Sequence, residues 1–299
     1  MIAFRGAFTA LITPMQGSGE VDYEGFRRLI EFQIGEGIDG IVPLGTTGET
    51  PTLDEDEEER LIGIAVETVK GRVPILVGTG SNDTRHMVQY TERAKRMGAD
   101  AAMVVTPYYN KPNDEGLFRH FEAAAATGIP IIVYNIASRT GRNIPTPLME
   151  KISHIPGIIG VKEASGDIGQ MGDVLREVAA PRKAEGKQFY VLSGDDALTL
   201  PLMALGGDGL VSVIANIVPA KVKALVAACI AGNFAEARRI HFELLPLVKA
   251  IFIETNPIPV KQAAAWLGLP SGPTRLPLGK LSAASEAVLK KTMTELGLL

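Results

Sequence analysis

From its first residues to about residue 230, the chain alternates short apolar runs with longer stretches of helical period. The runs at 6–12, 40–44, 74–78, 101–105, 129–134, 158–162, 189–192 and 209–212 are rich in β-branched residues and show little apolar–polar alternation. Such runs predict strands covered on both faces, and therefore parallel strands. Helix start signals lie between them. Asp22 precedes an amphipathic run to Ile34 that Gly35 and Gly37 stop. Asp54 opens an acidic first turn, Glu55-Asp56-Glu57-Glu58-Glu59, whose carboxylates complement the positive end of a helix dipole. Asn82-Asp83-Thr84 opens a further helix, which Met97-Gly98 ends.

Eight such β–α units, each about 30 residues long, predict an α/β fold of the (β/α)8 TIM-barrel type. The alternative, a doubly wound open sheet, calls for a Gly-x-Gly-x-x-Gly loop after an early strand, and the chain has none there. Beyond residue 231 strand signals stop, and helices are expected over 234–248, 256–267 and 282–296. Pro246 is expected to kink the first of these or end it early. Asn256-Pro257-Ile258-Pro259 reads as a kinked helix start, and 269–279 as a Pro/Gly-rich connector. The predicted organisation is a catalytic barrel over 1–231 and a small C-terminal helical domain over 232–299.

Composition narrows the function. The 299 residues are 46% hydrophobic and 21% charged, with a net charge of −4 and dispersed basic residues, which argues against nucleic acid as a partner. The most apolar stretch, 200–219, is broken by Gly206, Gly207, Asp208, Gly209 and Pro219, so no membrane span is expected. The start lacks the plan of a signal peptide, and a cytoplasmic location is expected. The single cysteine, Cys229, sits in an apolar stretch and reads as a small core residue.

In a barrel of this kind, reactive groups lie at the C-terminal ends of strands. Those ends carry Gly45-Thr46-Thr47-Gly48-Glu49, Thr106-Pro107-Tyr108-Tyr109-Asn110, Tyr134-Asn135 with Ser138-Arg139-Thr140-Gly141, Lys162, and Ser193-Gly194-Asp195-Asp196. Each has an ordinary structural explanation. The threonines cap a helix, the tyrosines fill a loop or the core, Arg139 is a surface side chain, and Asp195-Asp196 caps a helix. No histidine lies near that acidic pair to complete a metal set. Lys162, at the end of the β-branched run Ile158-Ile159-Gly160-Val161, orders the rest. Burial favours the neutral amine, and a neutral amine attacks a ketone to form a Schiff base. Phenols and hydroxyls relay the protons that carbonyl chemistry needs. Threonine hydroxyls with backbone N–H groups hold a carboxylate, and an arginine fork holds a second one.

Gly45–Glu49, Tyr108-Tyr109-Asn110, Tyr134-Asn135 with Arg139-Thr140-Gly141, Val161-Lys162-Glu163 and Asn256–Pro259 together resemble the pyruvate-dependent class I aldolase family, nearly end to end and in order. The similarity is greatest to the branch that condenses pyruvate with L-aspartate-4-semialdehyde. That resemblance implies that Lys162 forms an imine with pyruvate without a metal or other cofactor. It further implies that Tyr134 donates and accepts protons, that Thr46 and Tyr109 complete a proton relay, and that Thr47 holds the pyruvate carboxylate. It assigns the carboxylate of the semialdehyde to Arg139, and to Gly194 and Val211 backbone groups near the keto acid. It also implies a homo-oligomer, a tetramer built from dimers, in which Tyr109 reaches across an interface.

Two features depart from the family pattern. Ala137 stands where proline is common. In the allosteric lysine site of regulated members, Thr50, Pro51, Asn82 and Tyr108 occupy their positions, but Glu55 and Glu58 replace histidines and His86 replaces a glutamate. His86 supplies no anion for an α-ammonium, so weak or absent inhibition by lysine is expected. The competing readings are a sibling aldolase acting on N-acetylneuraminate or a keto-deoxy sugar acid, and a non-catalytic barrel that binds a keto acid.

Overall fold

A computed structural model describes residues 3–299, and every one of the eight apolar runs is a strand. In chain order the elements are β1 (Gly6–Ala10), α1 (Tyr23–Gly35), β2 (Gly40–Val42), α2 (Glu55–Val69), β3 (Leu76–Gly78), α3 (Thr84–Arg96), β4 (Ala101–Val105), α4 (Asp114–Ala126), β5 (Ile131–Asn135), α5 (Ala137–Thr140), α6 (Thr146–Ser153), β6 (Ile158–Glu163) and α7 (Ile168–Asp173). They continue with α8 (Ala180–Ala184), β7 (Tyr190–Ser193), α9 (Thr199–Ala204), β8 (Gly209–Ser212), α10 (Pro219–Ile230), α11 (Phe234–Ile251), α12 (Ile258–Trp266) and α13 (Ala283–Glu295). A π-helical stretch, Val174–Ala179, joins α7 to α8.

The strands form one parallel sheet in the order β2-β1-β8-β7-β6-β5-β4-β3, and a parallel bridge from Ile41 of β2 to Ile75 returns to the strand that begins at Leu76. The fold is the TIM barrel, with helices on its outer side as the β–α alternation requires.

By internal packing the chain divides into two units. One comprises the described residues up to Gly6 together with Leu76–Val211. Its core packs Val104, Ile131, Val133, Val161 and Val191 of the strands against Met87, Leu117, Phe121, Ile152 and Met171 of α3, α4, α6 and α7. Burying such side chains contributes roughly 1.5–3 kcal/mol each. The other unit comprises Ala7–Ile75 and Ser212–Leu299. There a buried amide closes the end of β1: Asn216 donates to the Ala10 carbonyl at 2.7 Å and accepts from the Ile12 N–H at 3.0 Å.

Three helix starts follow the sequence signals: Asp22 accepts from the Gly25 N–H, Asp54 and Glu57 form a reciprocal capping box, and Asp83 caps α3. The structure adds a cap by Ser282 on α13. Cys229 is buried on α10, and burial pushes its thiol pKa up. The early end expected at Pro246 is corrected, because α11 runs through it to Ile251. Proline removes one N–H, which leaves the carbonyl of residue 242 without its helical donor. Phe242 is exposed, so the residue that loses its donor lies at the surface.

Three strand ends extend one residue beyond the apolar runs that predict them. Asn135, Glu163 and Ser193 pair in register across β5, β6 and β7, and all three are fully buried. The polar residue that reads as the start of a loop is the last rung of the ladder.

Candidate active site

Lys162 is the penultimate residue of β6, with Tyr134 of β5 and Leu192 of β7 beside it in register. Lys162 is 6% exposed and Tyr134 5% exposed, and the Lys162 Nζ lies 4.0 Å from the centre of the Tyr134 ring. Gly194 makes room for the lysine. A Cβ there would come 3.0 Å from Lys162 Cε and 2.8 Å from Ala164 Cβ. Its N–H donates to the Glu163 carbonyl at 2.8 Å, so what it gives the site is chiefly its missing side chain.

Two opposing effects act on the amine. The ring face favours a cation, and so does the charge of Asp196. Desolvation disfavours the cation and is the larger effect, the charge of Arg139 adds to it, and the amine is pushed down to about 7. About half of such amines are neutral at neutral pH, against roughly one in several thousand for an ordinary lysine. Burial also raises the Tyr134 phenol, with Arg139 pulling it down and Asp195 pushing it up. The phenol therefore starts as a proton donor. Asp195 itself caps the turn after β7 through the Ala197 N–H at 2.8 Å, as the ordinary explanation of the acidic pair has it.

One residue further along the same strands lies a polar cluster: the sequence motifs include Asn135 and Glu163, but not the bonds that join them to each other and to Asn143 and Gln170. The Asn135 Nδ2 donates to both Glu163 carboxylate oxygens at 3.1 Å and to Asn143 Oδ1 at 2.8 Å. The Asn135 Oδ1 accepts from the Ile144 N–H at 3.0 Å. Glu163 also accepts from the Ser165 N–H at 2.8 Å and from Gln170 at 3.4 Å. Burial pushes the Glu163 carboxyl up, and those donors oppose the shift. Arg139 lies in α5, in the loop between Asn135 and Asn143, and its charge bears on both Lys162 and Tyr134.

The other unit holds the Gly45–Glu49 loop. Thr46–Gly48 form a single 3-10 turn, with Thr46 half-buried and Thr47 buried. Thr47 Oγ1 accepts from Asn256 Nδ2 at 2.9 Å, and the Gly48 carbonyl accepts from Thr13 Oγ1 at 2.6 Å. Glu49, in the left-handed region at φ 58°, accepts from Lys261 Nζ at 2.6 Å and from the Arg275 N–H at 2.8 Å. Lys261 also donates to the carbonyls of Thr13 at 3.0 Å and Pro273 at 2.7 Å. The Asn256–Pro259 motif and the first turns of α12 thus brace the threonine loop. Sequence reasoning had singled out the motif without this purpose, and it missed Lys261 altogether.

The remaining predicted residues are more scattered. Tyr109 is 90% exposed with φ 72°, so the structure does not bring it to Lys162. Tyr108 is exposed, Asn110 donates to the Asn82 carbonyl at 2.8 Å, and His86 stacks on Tyr90 with ring centres 6.1 Å apart. Those groups, with Asn82 and His86, belong to the unit of Lys162. Thr50, Pro51, Glu55 and Glu58 belong to the unit of the threonine loop, at the turn before α2 and in its first turn. Val211 is buried in β8. Among the described residues, no three His, Cys, Asp or Glu side chains cluster as metal ligands, and no helix is long and apolar enough to cross a membrane.

Comparison with known proteins agrees across the whole length. Residues 3–296 match the model of the dihydrodipicolinate synthetase family. The 4-hydroxy-tetrahydrodipicolinate synthase of Protochlamydia amoebophila is 51% identical over 293 residues, 98% of this chain and 96% of that one. The crystal structure of dihydrodipicolinate synthase from Aquifex aeolicus superposes with a TM-score of 0.94 at 44% identity, covering 99% of each chain. A chloride-inhibited dihydrodipicolinate synthase from Acinetobacter baumannii, solved in complex with pyruvate, matches at a TM-score of 0.93 and 37% identity, covering 99% of this chain and 100% of that one.

The depressed amine of Lys162 carries a stability cost. Below pH 7 it is a buried ammonium, and as pH rises from about 7 toward its unfolded value of 10.5 the folded state gains stability relative to the unfolded one. Lys162→Met, which removes the charge and keeps the volume, should raise thermal stability. The gain should be largest at and below pH 7, on the order of 5 kcal/mol at most, and should shrink toward pH 10. Thermal unfolding of both proteins at several pH values measures it, and an unchanged or lowered Tm in the variant contradicts the cost.

Proposed function

The chain belongs to the dihydrodipicolinate synthetase family, and from that premise and the setting of Lys162 we propose that it is a Schiff-base-forming lyase. It condenses pyruvate with L-aspartate-4-semialdehyde to 4-hydroxy-tetrahydrodipicolinate, in diaminopimelate and lysine biosynthesis. The observation that carries this reading is an amine held at a buried strand end, 4.0 Å from a phenol ring and pushed down to about 7. Such a group is a nucleophile near neutral pH, and a phenol beside it supplies the proton that a departing oxygen needs.

The neutral Lys162 amine attacks the C2 carbonyl of pyruvate, and the resulting carbinolamine loses water to give the imine. Loss of a C3 proton gives the enamine, whose C3 attacks the aldehyde carbon of the semialdehyde while the aldehyde oxygen takes up a proton. The amino group of the second substrate then attacks the imine carbon, closes the ring and expels the lysine amine. Tyr134 gives and takes the protons at the imine, with Thr46 and Tyr109 as the further members of the relay. Thr47 holds the pyruvate carboxylate, Arg139 the carboxylate of the semialdehyde, and Gly194 and Val211 flank the keto acid. The protonated imine is itself the electron sink, so the chemistry needs no metal or organic cofactor.

An exposed tyrosine held in left-handed backbone fits a side chain meant for a neighbouring copy. On this reading Tyr109 completes the relay of a second subunit, and the assembly is a homotetramer built from dimers. The catalytic barrel spans 1–231, residues 232–299 form the helical C-terminal domain, and the enzyme works in the cytoplasm on small-molecule substrates.

Borohydride reduction in the presence of pyruvate should attach a reduced pyruvyl group to Lys162, visible by peptide mass analysis. Lys162→Ala should abolish labelling and lower turnover by at least about a thousandfold. Labelling elsewhere, or near-normal turnover in the variant, defeats the covalent mechanism. Turnover of sugar acids in preference to the semialdehyde would move the chain to a sibling aldolase.

Arg139→Ala should lower kcat/KM for the semialdehyde by about 10–100-fold, the worth of a charge-assisted carboxylate contact, while leaving most imine formation intact. Equal damage to both steps, in steady-state and trapping assays, would assign Arg139 a structural role instead.

Glu55 and Glu58 suit an ε-ammonium, but His86 offers no anion to an α-ammonium. L-Lysine at millimolar concentration should therefore leave most of the activity intact. Strong inhibition in a titration would show that the site is regulated despite these side chains.

A further inference from the structure

We infer that Asn135 and Glu163 are positioning residues, forming a buried amide–carboxylate clamp that fixes the Tyr134–Lys162 pair and closes the loop carrying Arg139. The inference rests on the proposed reading of Lys162 as the imine-forming amine.

The placement follows from strand geometry. Tyr134 pairs with Lys162 and Asn135 with Glu163 as consecutive rungs of β5 and β6. Successive side chains of a strand point to opposite faces, so each reacting residue is followed at once by a clamp residue on the other side of the sheet. A change in spacing or twist at the clamp rung is transmitted to the reacting rung through about 3.3 Å of backbone.

Each polar atom of the Asn135 amide has a partner. Asn135 has two amide hydrogens and one carbonyl oxygen. One hydrogen goes to Asn143 Oδ1 at 2.8 Å, the other is shared between the Glu163 oxygens at 3.1 Å, and the oxygen accepts from the Ile144 N–H at 3.0 Å. Asn143 and Gln170 bond each other through both amide ends, at 2.7 and 3.2 Å. The segment from Asn135 to Ile144 is thus tied at both ends by one side chain, and Arg139 sits in its middle.

Holding two strands together does not by itself call for these residue types. Burying a carboxylate among uncharged donors is costly, and an apolar pair would join the strands at lower cost. What the amide and carboxylate add is direction, because each bond has one acceptable length and angle. Reactions at a preformed amine are sensitive to such placement, since a displacement near 1 Å can cost about a hundredfold in rate.

The test is a swap. Asn135→Asp sets two carboxylates against each other, and Glu163→Gln turns one of the two accepting oxygens into a donor facing the Asn135 and Gln170 amides, whereas the double variant restores the match with the amide on β6 and the acid on β5. The Asn143 and Gln170 amides can turn over to follow. Reductive trapping of pyruvate is followed against pH, alongside kcat and KM for both substrates and circular dichroism. Asp196 and Arg139, whose charges bear on the amine, are the same in every variant, and the double variant carries the same number of carboxyl groups as the parent, whereas Asn135→Asp adds one and Glu163→Gln removes one.

Each single variant should lose at least about tenfold in kcat/KM, with KM for the semialdehyde raised, and in Asn135→Asp, where an added carboxylate and entering water both favour the ammonium, the pH midpoint of trapping should move upward and return in the double variant. The double variant should recover to within about threefold of the parent. A purely structural role would lower the thermal midpoint without moving the pH midpoint of trapping, and that result overturns the proposal. Parent-like kinetics in folded single variants, or losses that simply add in the double, also overturn it. Should the singles fail to fold, the double must fold and trap pyruvate, and its failure to do so counts against the clamp. Absence of trapping in the parent enzyme would instead defeat the functional reading beneath it.

Discussion

Everything at this site depends on keeping one amine out of water. A lysine Nζ on a flexible stem ordinarily turns to solvent, and here it is held against the face of Tyr134 by in-register pairing of β5 with β6. Gly194 gives it the space, since a single added carbon there would collide with the lysine stem. Desolvation then exceeds the help the cation receives from the ring and from Asp196, and the amine becomes a nucleophile near neutral pH. Reactivity is thus a consequence of packing, and it is obtained at the expense of stability, as is common where a site holds a group against its preference.

The barrel divides its labour by the alternation of side chains along each strand. At the ends of β5, β6 and β7, one rung presents Tyr134, Lys162 and Leu192, and the next presents Asn135, Glu163 and Ser193. The second rung is fully buried and polar, and it is bonded to the loops that follow the strands. Loops at the C-terminal end of a barrel are free to vary, and this polar rung is what fixes them here. The threonine loop of the other unit has a brace of a different kind, an ion pair with surrounding carbonyls supplied by the C-terminal segment.

Much of this was legible in the sequence. The β-branched runs placed all eight strands, because parallel strands buried on both faces leave a continuous apolar signature. The side-chain caps at Asp22, Asp54 and Asp83 placed three helix starts, because a carboxylate next to free N–H groups is a local event. What escaped were the long-range polar contacts. Asn135 and Glu163 look like loop residues until the register of β5 on β6 is known, and nothing local announces that Lys261 meets Glu49 across more than two hundred residues of chain. The persistence of α11 through Pro246 escaped for a related reason: the lost hydrogen bond falls on an exposed turn, and exposure is a property of the fold.

The two buried lysines show why residue type and burial alone do not reveal chemistry. Lys162 and Lys261 are 6% and 2% exposed, and burial pushes the amine down in both. Around Lys261 a carboxylate and two carbonyls accept from Nζ at 2.6 to 3.0 Å, and the charge and hydrogen bond of Glu49 oppose the effect of burial, so the group serves the structure. Around Lys162 the neighbours are a ring face, a glycine, and the opposing fields of Asp196 and Arg139. A ring face attracts a cation but accepts no conventional hydrogen bond, and the field of a carboxylate does not replace a full set of acceptors. Lys162 is the amine pushed down to about 7, and what sets Lys261 apart is a set of oxygen acceptors bonded to its amine.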